Sequence, residues 1–222
     1  MSDNRKDDAR IVTKNARIVI ETKTMEKQND ILPLLTVKYF DVKSTTNHLL
    51  TNKQQIGSFV VFSLENEPFS WRASWVLCKY AERKAADIQP YAQMLIDNLP
   101  NIAKPGHRRE TLKILSHLQL DERQSCDVMD FCFDSIKDNK LQASVRSAAY
   151  DMLMKIGEQY PEIRSEAIAI FDDTKDYYPH GIRKSIEVRT MRASSQTTPT
   201  YHARTMHASS QTKKMQKIIS LC

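Results

Sequence analysis

The chain has 222 residues, 41% of them hydrophobic, with four glycines, eight prolines and a formal charge of +6. That length suits one ordinary domain with tails, and scarce glycine argues against a fold built on many tight β-turns. The charge excludes less than it suggests. Residues 189–222 carry six bases and no acid, residues 1–50 carry nine bases against seven acids, and residues 51–188 are left at −2. A basic tail on a near-neutral core says little about what the core binds.

Residues 1–24 are polar, mixed in charge and aperiodic, and read as a disordered tail. The opening MSDNRKDDAR lacks the apolar stretch of a secretory signal. No apolar run reaches the roughly 18–20 residues needed to cross a bilayer, so a cytoplasmic protein with no membrane partner is expected. Ordered structure is expected from Met25, itself a candidate start, with Asn29 or Asp30 capping a short helix. Residues 44–51 read as a link, and 52–64 as the outer half of a first repeat. Asn66 or Glu67 then caps a helix that has Pro68 in its first turn and runs to about Arg83. Further helices are expected over 88–99, 107–118, 122–137, 143–158 and 161–172, with a last one from Ile182 that frays past Val188. Pro100, Pro105, Gly157, Pro161 and Pro179 mark the joints.

Within this series Arg72, Arg109, Arg146 and Arg183 recur every 37 residues, in the blocks PFSWRASWVL, PGHRRETLKIL, LQASVRSAAYDML and YPHGIRKSI. A period in this range is the mark of stacked helical repeats. Each helix carries one apolar stripe, too little to hold it alone in water, and stacking of successive pairs would bury the stripes. A proline or polar breaker, an arginine, small and apolar residues, then a second amphipathic helix: this order resembles the HEAT-like repeat family over residues 52–188. The resemblance implies an all-α, right-handed α-α superhelix at 25–188, between disordered tails at 1–24 and 189–222. One departure is the lack of a regular Asp between the two helices of a pair. The family includes adaptors, scaffolds and alkylpurine DNA glycosylases, so the fold leaves function open. In the tail RTMRASSQT (189–197) recurs as RTMHASSQT (204–212), a Ser/Thr-rich duplication without acids.

Lys104, His107, Arg108 and Arg109 form the densest basic cluster of the core. With Arg146 and Arg183 they make a candidate ligand or partner surface, because arginine forks suit anionic oxygens. The competing reading spends that row on carbonyls or acids of the neighbouring repeat. Trp71 and Trp75 lie one helical turn apart, as a core anchor with Trp71 at its edge or as a platform for bases. Asp127, Asp130, Asp134 and Asp138 draw a stripe that reads as a solvated helix face. Cys78, Cys126, Cys132 and Cys222 have no zinc spacing, the six histidines are scattered, and no phosphate loop or nucleophile elbow occurs. No catalytic residue, cofactor or metal is therefore expected. The reading this supports is a non-catalytic scaffold that binds another protein. The alternative is a nucleic-acid binder or a DNA glycosylase, with Trp75, Asp97 and Arg109 near the lesion and the tail adding affinity.

Overall fold

The computed structural model describes residues 30–195, and no strand occurs among them. Residues 1–29, which include the expected tail at 1–24, the expected start of order at Met25 and the candidate cap Asn29, lie outside the described residues, as does 196–222, the larger part of the tail expected at 189–222. A single turn, α1 (Leu32–Leu35), precedes α2 (Val42–Thr51) and α3 (Ile56–Leu64). The expected link at 44–51 is thus helical. Asp41 caps α2 by accepting hydrogen bonds from the backbone N–H groups of Lys43 and Ser44. The hydroxyls of Thr45 and Thr46 donate to carbonyls one turn back, which lets two β-branched residues sit in the helix. The segment 52–64 is accordingly the second helix of the first pair and not the first. Its FVVF run is helical because Phe59, Val60 and Phe62 are buried by neighbouring helices, which overrides β-propensity.

Next come α4 (Ser70–Ile88), α5 (Ala92–Asn98), α6 (Pro105–His117), α7 (Glu122–Lys137), α8 (Ala143–Ile156), α9 (Pro161–Thr174) and α10 (His180–Ser195). Helix α4 begins later than Pro68 and leaves helical geometry once, at Lys84 (φ −143°, ψ 51°). Short 3₁₀ turns at Gln89–Tyr91 and Leu99–Asn101, each holding a proline, bracket α5. Pro105 and Pro161 occupy first-turn positions of α6 and α9, where a missing N–H costs nothing. Asp121 and Gln124 form a reciprocal capping box at the start of α7.

Two layers result. In the first, α2, α4, α6, α8 and α10 each pack on the next; in the second, α3, α5, α7 and α9 do the same. The core between them includes Phe59, Leu77, Tyr80, Leu95, Ile114, Leu153 and Phe171. Burying one such side chain contributes about 1.5–3 kcal/mol, so each helix owes its stability to its neighbours. Polar contacts pin the register at spacings close to the repeat length. The Asn66 amide accepts from the Ala103 N–H and donates to the Asn101 carbonyl. Lys155 caps the end of α6 by donating to the carbonyls of Ser116 and Leu118. The Arg189 fork donates to Asp151 and Ser147 on α8, at 2.9 Å each. That fork and the Tyr150–Thr190 hydroxyl pair hold α10 to α8 beyond Val188, where the helical domain was expected to end.

The α8–α9 turn depends on Gly157, because a Cβ added there would stand 2.6 Å from the Cβ of Arg164. Gly157→Ala should therefore destabilise the protein by about 1–3 kcal/mol. A lowered urea midpoint with an unchanged slope is the expected result, and an unchanged midpoint would mean that the turn opens at no cost.

Candidate binding surface

The arginine row divides into different local jobs. Arg72 donates to the carbonyls of Leu35 (2.6 Å) and Val37 (3.1 Å). In the next pair that job passes from Arg109 to its neighbour: Arg108 donates to the carbonyls of Ile102 (2.6 Å) and Pro100 (3.1 Å), just after α5. Arg146 donates to the carbonyl of Ile136 at the end of α7, at 3.1 Å. Arg183 reaches Asp176 at 3.1 Å, in the turn after α9. Arg108 and Arg146 thus clamp the end of the preceding second-layer helix, where unpaired carbonyls and the negative end of the helix dipole favour a cation, while Arg183 pairs with an exposed carboxylate in the turn beyond α9.

These contacts correct the expected partner surface. Arg146 is fully buried, with its guanidinium 4.0 Å from the Tyr178 ring centroid. His107 is also buried. Arg109 is bound to Glu110 at 2.8 Å, and Glu110 lies almost wholly inside. Of the six residues, only Lys104 is exposed, and Arg108, Arg109 and Arg183 are half-buried. Sequence spacing put them on comparable helix positions but could not say which side a neighbouring repeat would cover.

The Cys78 thiol is buried beside Glu110, and both burial and that carboxylate push it up to about 12, which removes it as a nucleophile at neutral pH. Asp97 accepts from Gln93, and Trp75 lies half-buried against Phe40 and Trp71, so the trio considered for a lesion pocket is engaged in separate contacts. The stripe Asp127, Asp130, Asp134 and Asp138 is exposed along its length. Among the described residues no group of three metal-ligating side chains converges, and no helix is long and apolar enough to cross a membrane.

What the fold does assemble is an aromatic platform at the α1–α2 end of the stack. Trp71 stacks on Trp75 (centroids 6.1 Å, planes 21° apart), and Phe40 tilts against Trp75 at 6.2 Å. The Arg72 guanidinium sits 4.8 Å from Phe40 and 4.9 Å from Phe69, which with its two carbonyls holds the loop before α2 in place. Trp71, on this base, is 37% exposed, and Val37 and Tyr39, in the loop that leads to Phe40, are 44% and 86% exposed. The tryptophan pair was visible in the sequence. Val37, Tyr39 and Phe40 gave no periodic signal, since they belong to a loop that Arg72 positions from 35 residues away.

Charge is also sorted by layer. Helices α2, α4, α6, α8 and α10 hold fourteen Lys and Arg against five Asp and Glu, whereas α3, α5, α7 and α9 hold three against nine. The small net charge of the helices, seventeen bases against fourteen acids, therefore conceals a basic layer and an acidic one.

The HEAT repeat domain family matches residues 38–193, most of the chain, and the chain belongs to that family. No curated protein and no solved structure gives a match.

Arg146 and His107 yield two predictions. Arg146→Ala should cost about 2–4 kcal/mol by opening a cavity and leaving the Ile136 carbonyl unbonded, whereas Arg146→Met, which keeps the volume, should cost less than half of that. Equal losses in urea denaturation would show that the guanidinium itself is indispensable. Burial holds the His107 imidazole below its ordinary value of 6.5, against a smaller opposing effect from the Ser63 backbone, and burial moves His117 the same way. Below pH 6.5 the unfolded chain thus binds more protons than the folded one. Stability is full above that pH and falls as the medium becomes more acid. The urea midpoint should drop between about pH 7 and about pH 5, less steeply in His107→Asn; parallel slopes would assign the effect to other groups.

Proposed function

Taking membership of the HEAT repeat family as the premise, we propose that the chain is a non-catalytic scaffold that docks another protein. The observation that supports this is the platform of Trp71, Tyr39 and Val37, carried on Trp75, Phe40 and Arg72. Aromatic anchors backed by a rigid base contribute most of the energy at protein interfaces, because they bury large areas at a small cost in side-chain entropy. Singly exposed apolar residues need no explanation, but several grouped on one prepared surface do.

The basic groups first considered for a nucleic-acid surface support that alternative less well. Arg108 and Arg146 are engaged in clamping the repeats, Arg183 is paired with Asp176, and Arg109 is bound to Glu110. Phosphate tracking needs free cations along a continuous path.

The test uses the full chain and its Trp71→Ala/Tyr39→Ala variant as baits for affinity capture, with partners retained only at reproducible stoichiometry. The expected outcome is a partner whose affinity for the variant falls about 30-fold or more, the effect of losing about 2 kcal/mol at one hot spot. Identical capture by both baits would overturn the assignment to this platform. Salt-sensitive binding of duplex DNA by the full chain, retained in residues 25–195, which keep α10 whole, would favour the nucleic-acid alternative instead.

A further inference from the structure

Cys126 of α7 is disulfide-bonded, whereas Cys78 and Cys132 are free. The chain has four cysteines, which leaves Cys222 as the partner. Cys126 stands off the buried row of Val128, Cys132, Ser135 and Ile136 on α7. It is only 7% exposed, although Glu122 and Asp130, one turn to either side of it, are exposed. This flank of α7 looks toward α9: Glu122 acts electrostatically on Tyr160, just before α9, whereas Asp127 accepts from Gln93 of α5. Together α7 and α9 hold eight Asp and Glu against three Lys and Arg, with Asp130, Asp134, Glu162 and Glu166 exposed.

Residues 213–222 have the opposite character. Lys213, Lys214 and Lys217 occur there with no acid, and Met215, Ile218, Ile219 and Cys222 fall at i, i+3, i+4 and i+7. We propose that this segment docks along the α7–α9 side of the second layer, its lysines toward the acids, and that a Cys126–Cys222 disulfide locks it there. Cys126 and the half-buried Phe133 stand two turns apart on α7, the interval that separates Cys222 from Met215. A helical segment can therefore bring Met215 to Phe133 while the cysteines meet. Ten residues cannot sustain a helix alone in water; the acidic face and the bond would supply the stability. The connection is long enough. Residues 196–221 can span about 85 Å when extended, whereas α10 packs on α8 and α8 on α7, with axes about 10 Å apart, and α7 is only about 24 Å long. Helix α10, with Arg183, Lys184 and Arg192, repels the lysines and is not the docking face. The bond forms by exchange with a small-molecule disulfide such as oxidised glutathione. One protein thiolate displaces a glutathione thiol to give a mixed disulfide, and the second protein thiolate then displaces the other. Two electrons pass from the protein sulfurs to the added disulfide, and the two protons lost by the protein thiols go to the two thiols released. Reduction reverses this and uncovers the acidic face, so in a reducing compartment the segment is a redox-gated cover. The aromatic platform takes no part, and the proposal stands or falls apart from the function proposed above.

Peptide mapping of the full-length chain tests the bond, after equilibration with oxidised glutathione and blocking of free thiols. The expected result is a reducible cross-link between the peptides that carry Cys126 and Cys222, within one chain and absent in Cys126→Ser. Titration in a glutathione redox buffer then tests the docking. Closure of the bond should weaken about ten-fold in Lys213→Glu/Lys214→Glu/Lys217→Glu, the scale of three exposed ion pairs lost together. Those three positions lie outside the helical repeats. Closure unchanged by the charge reversal would overturn the proposal, because a tail tethered without docking closes equally well in both chains. So would the absence of a cross-link, a cross-link that survives Cys126→Ser, or one that joins two chains and grows with protein concentration.

Discussion

No helix in this protein can bury its own apolar stripe, and the stacking of each on its neighbours is the constraint from which the remaining features follow. Because stability comes from contacts between repeats, register matters more here than intrinsic helix propensity. The polar groups reflect this. Arg108, Arg146 and Arg183 reach back to the chain that ends a second-layer helix, while Lys155 and Arg189 reach across to the preceding first-layer helix. All but Arg183, whose partner Asp176 is exposed, satisfy acceptors that the stacking would otherwise leave without partners or close to a low-dielectric interior.

Arg146 shows how far this use of arginine extends. Its guanidinium is inside, without a carboxylate partner among the described residues, and is accommodated by a carbonyl and the face of Tyr178. A planar, weakly hydrated cation tolerates this placement better than an ammonium would. Glu110 is the reverse case, a buried carboxylate balanced by Arg109 and Lys113 from its own helix. Both bury charge to complete a stack, and both take basic residues away from any ligand.

A stack also has two ends, and the ends differ from the middle. Interior helices are covered on both sides by neighbours, so most of their large apolar residues are consumed by packing, with Met94 on α5 an exception. At the α1–α2 end, Arg72 holds a loop whose aromatic residues extend the core outward to Trp71 and Tyr39. At the α10 end, Val188 and Met191 extend it without a covering helix among the described residues. Exposed apolar surface concentrates where the repeat pattern runs out, and interaction is most plausible there on physical grounds. The acidic second layer and basic first layer then bias which partners each side admits.

The sequence by itself determined the helical class, the repeat length and most helix positions, because proline breaks and an apolar stripe at helical spacing are local properties. The 122–137 helix agrees with α7 residue for residue, since Asp121 and Gln124 cap it and Lys137 precedes a polar turn. The segment 44–51 eluded that reading: its threonines look like a loop until their hydroxyls are seen bonded within the helix. Only the tertiary structure decided which side of each helix faces a neighbour. A period of 37 makes Arg72, Arg109, Arg146 and Arg183 equivalent in the chain, yet one underlies an aromatic platform, one pairs with a buried acid, one is wholly inside and one bridges to a turn. Periodicity fixes spacing along a helix, but burial depends on what the adjacent repeat brings against it, and that is a non-local property.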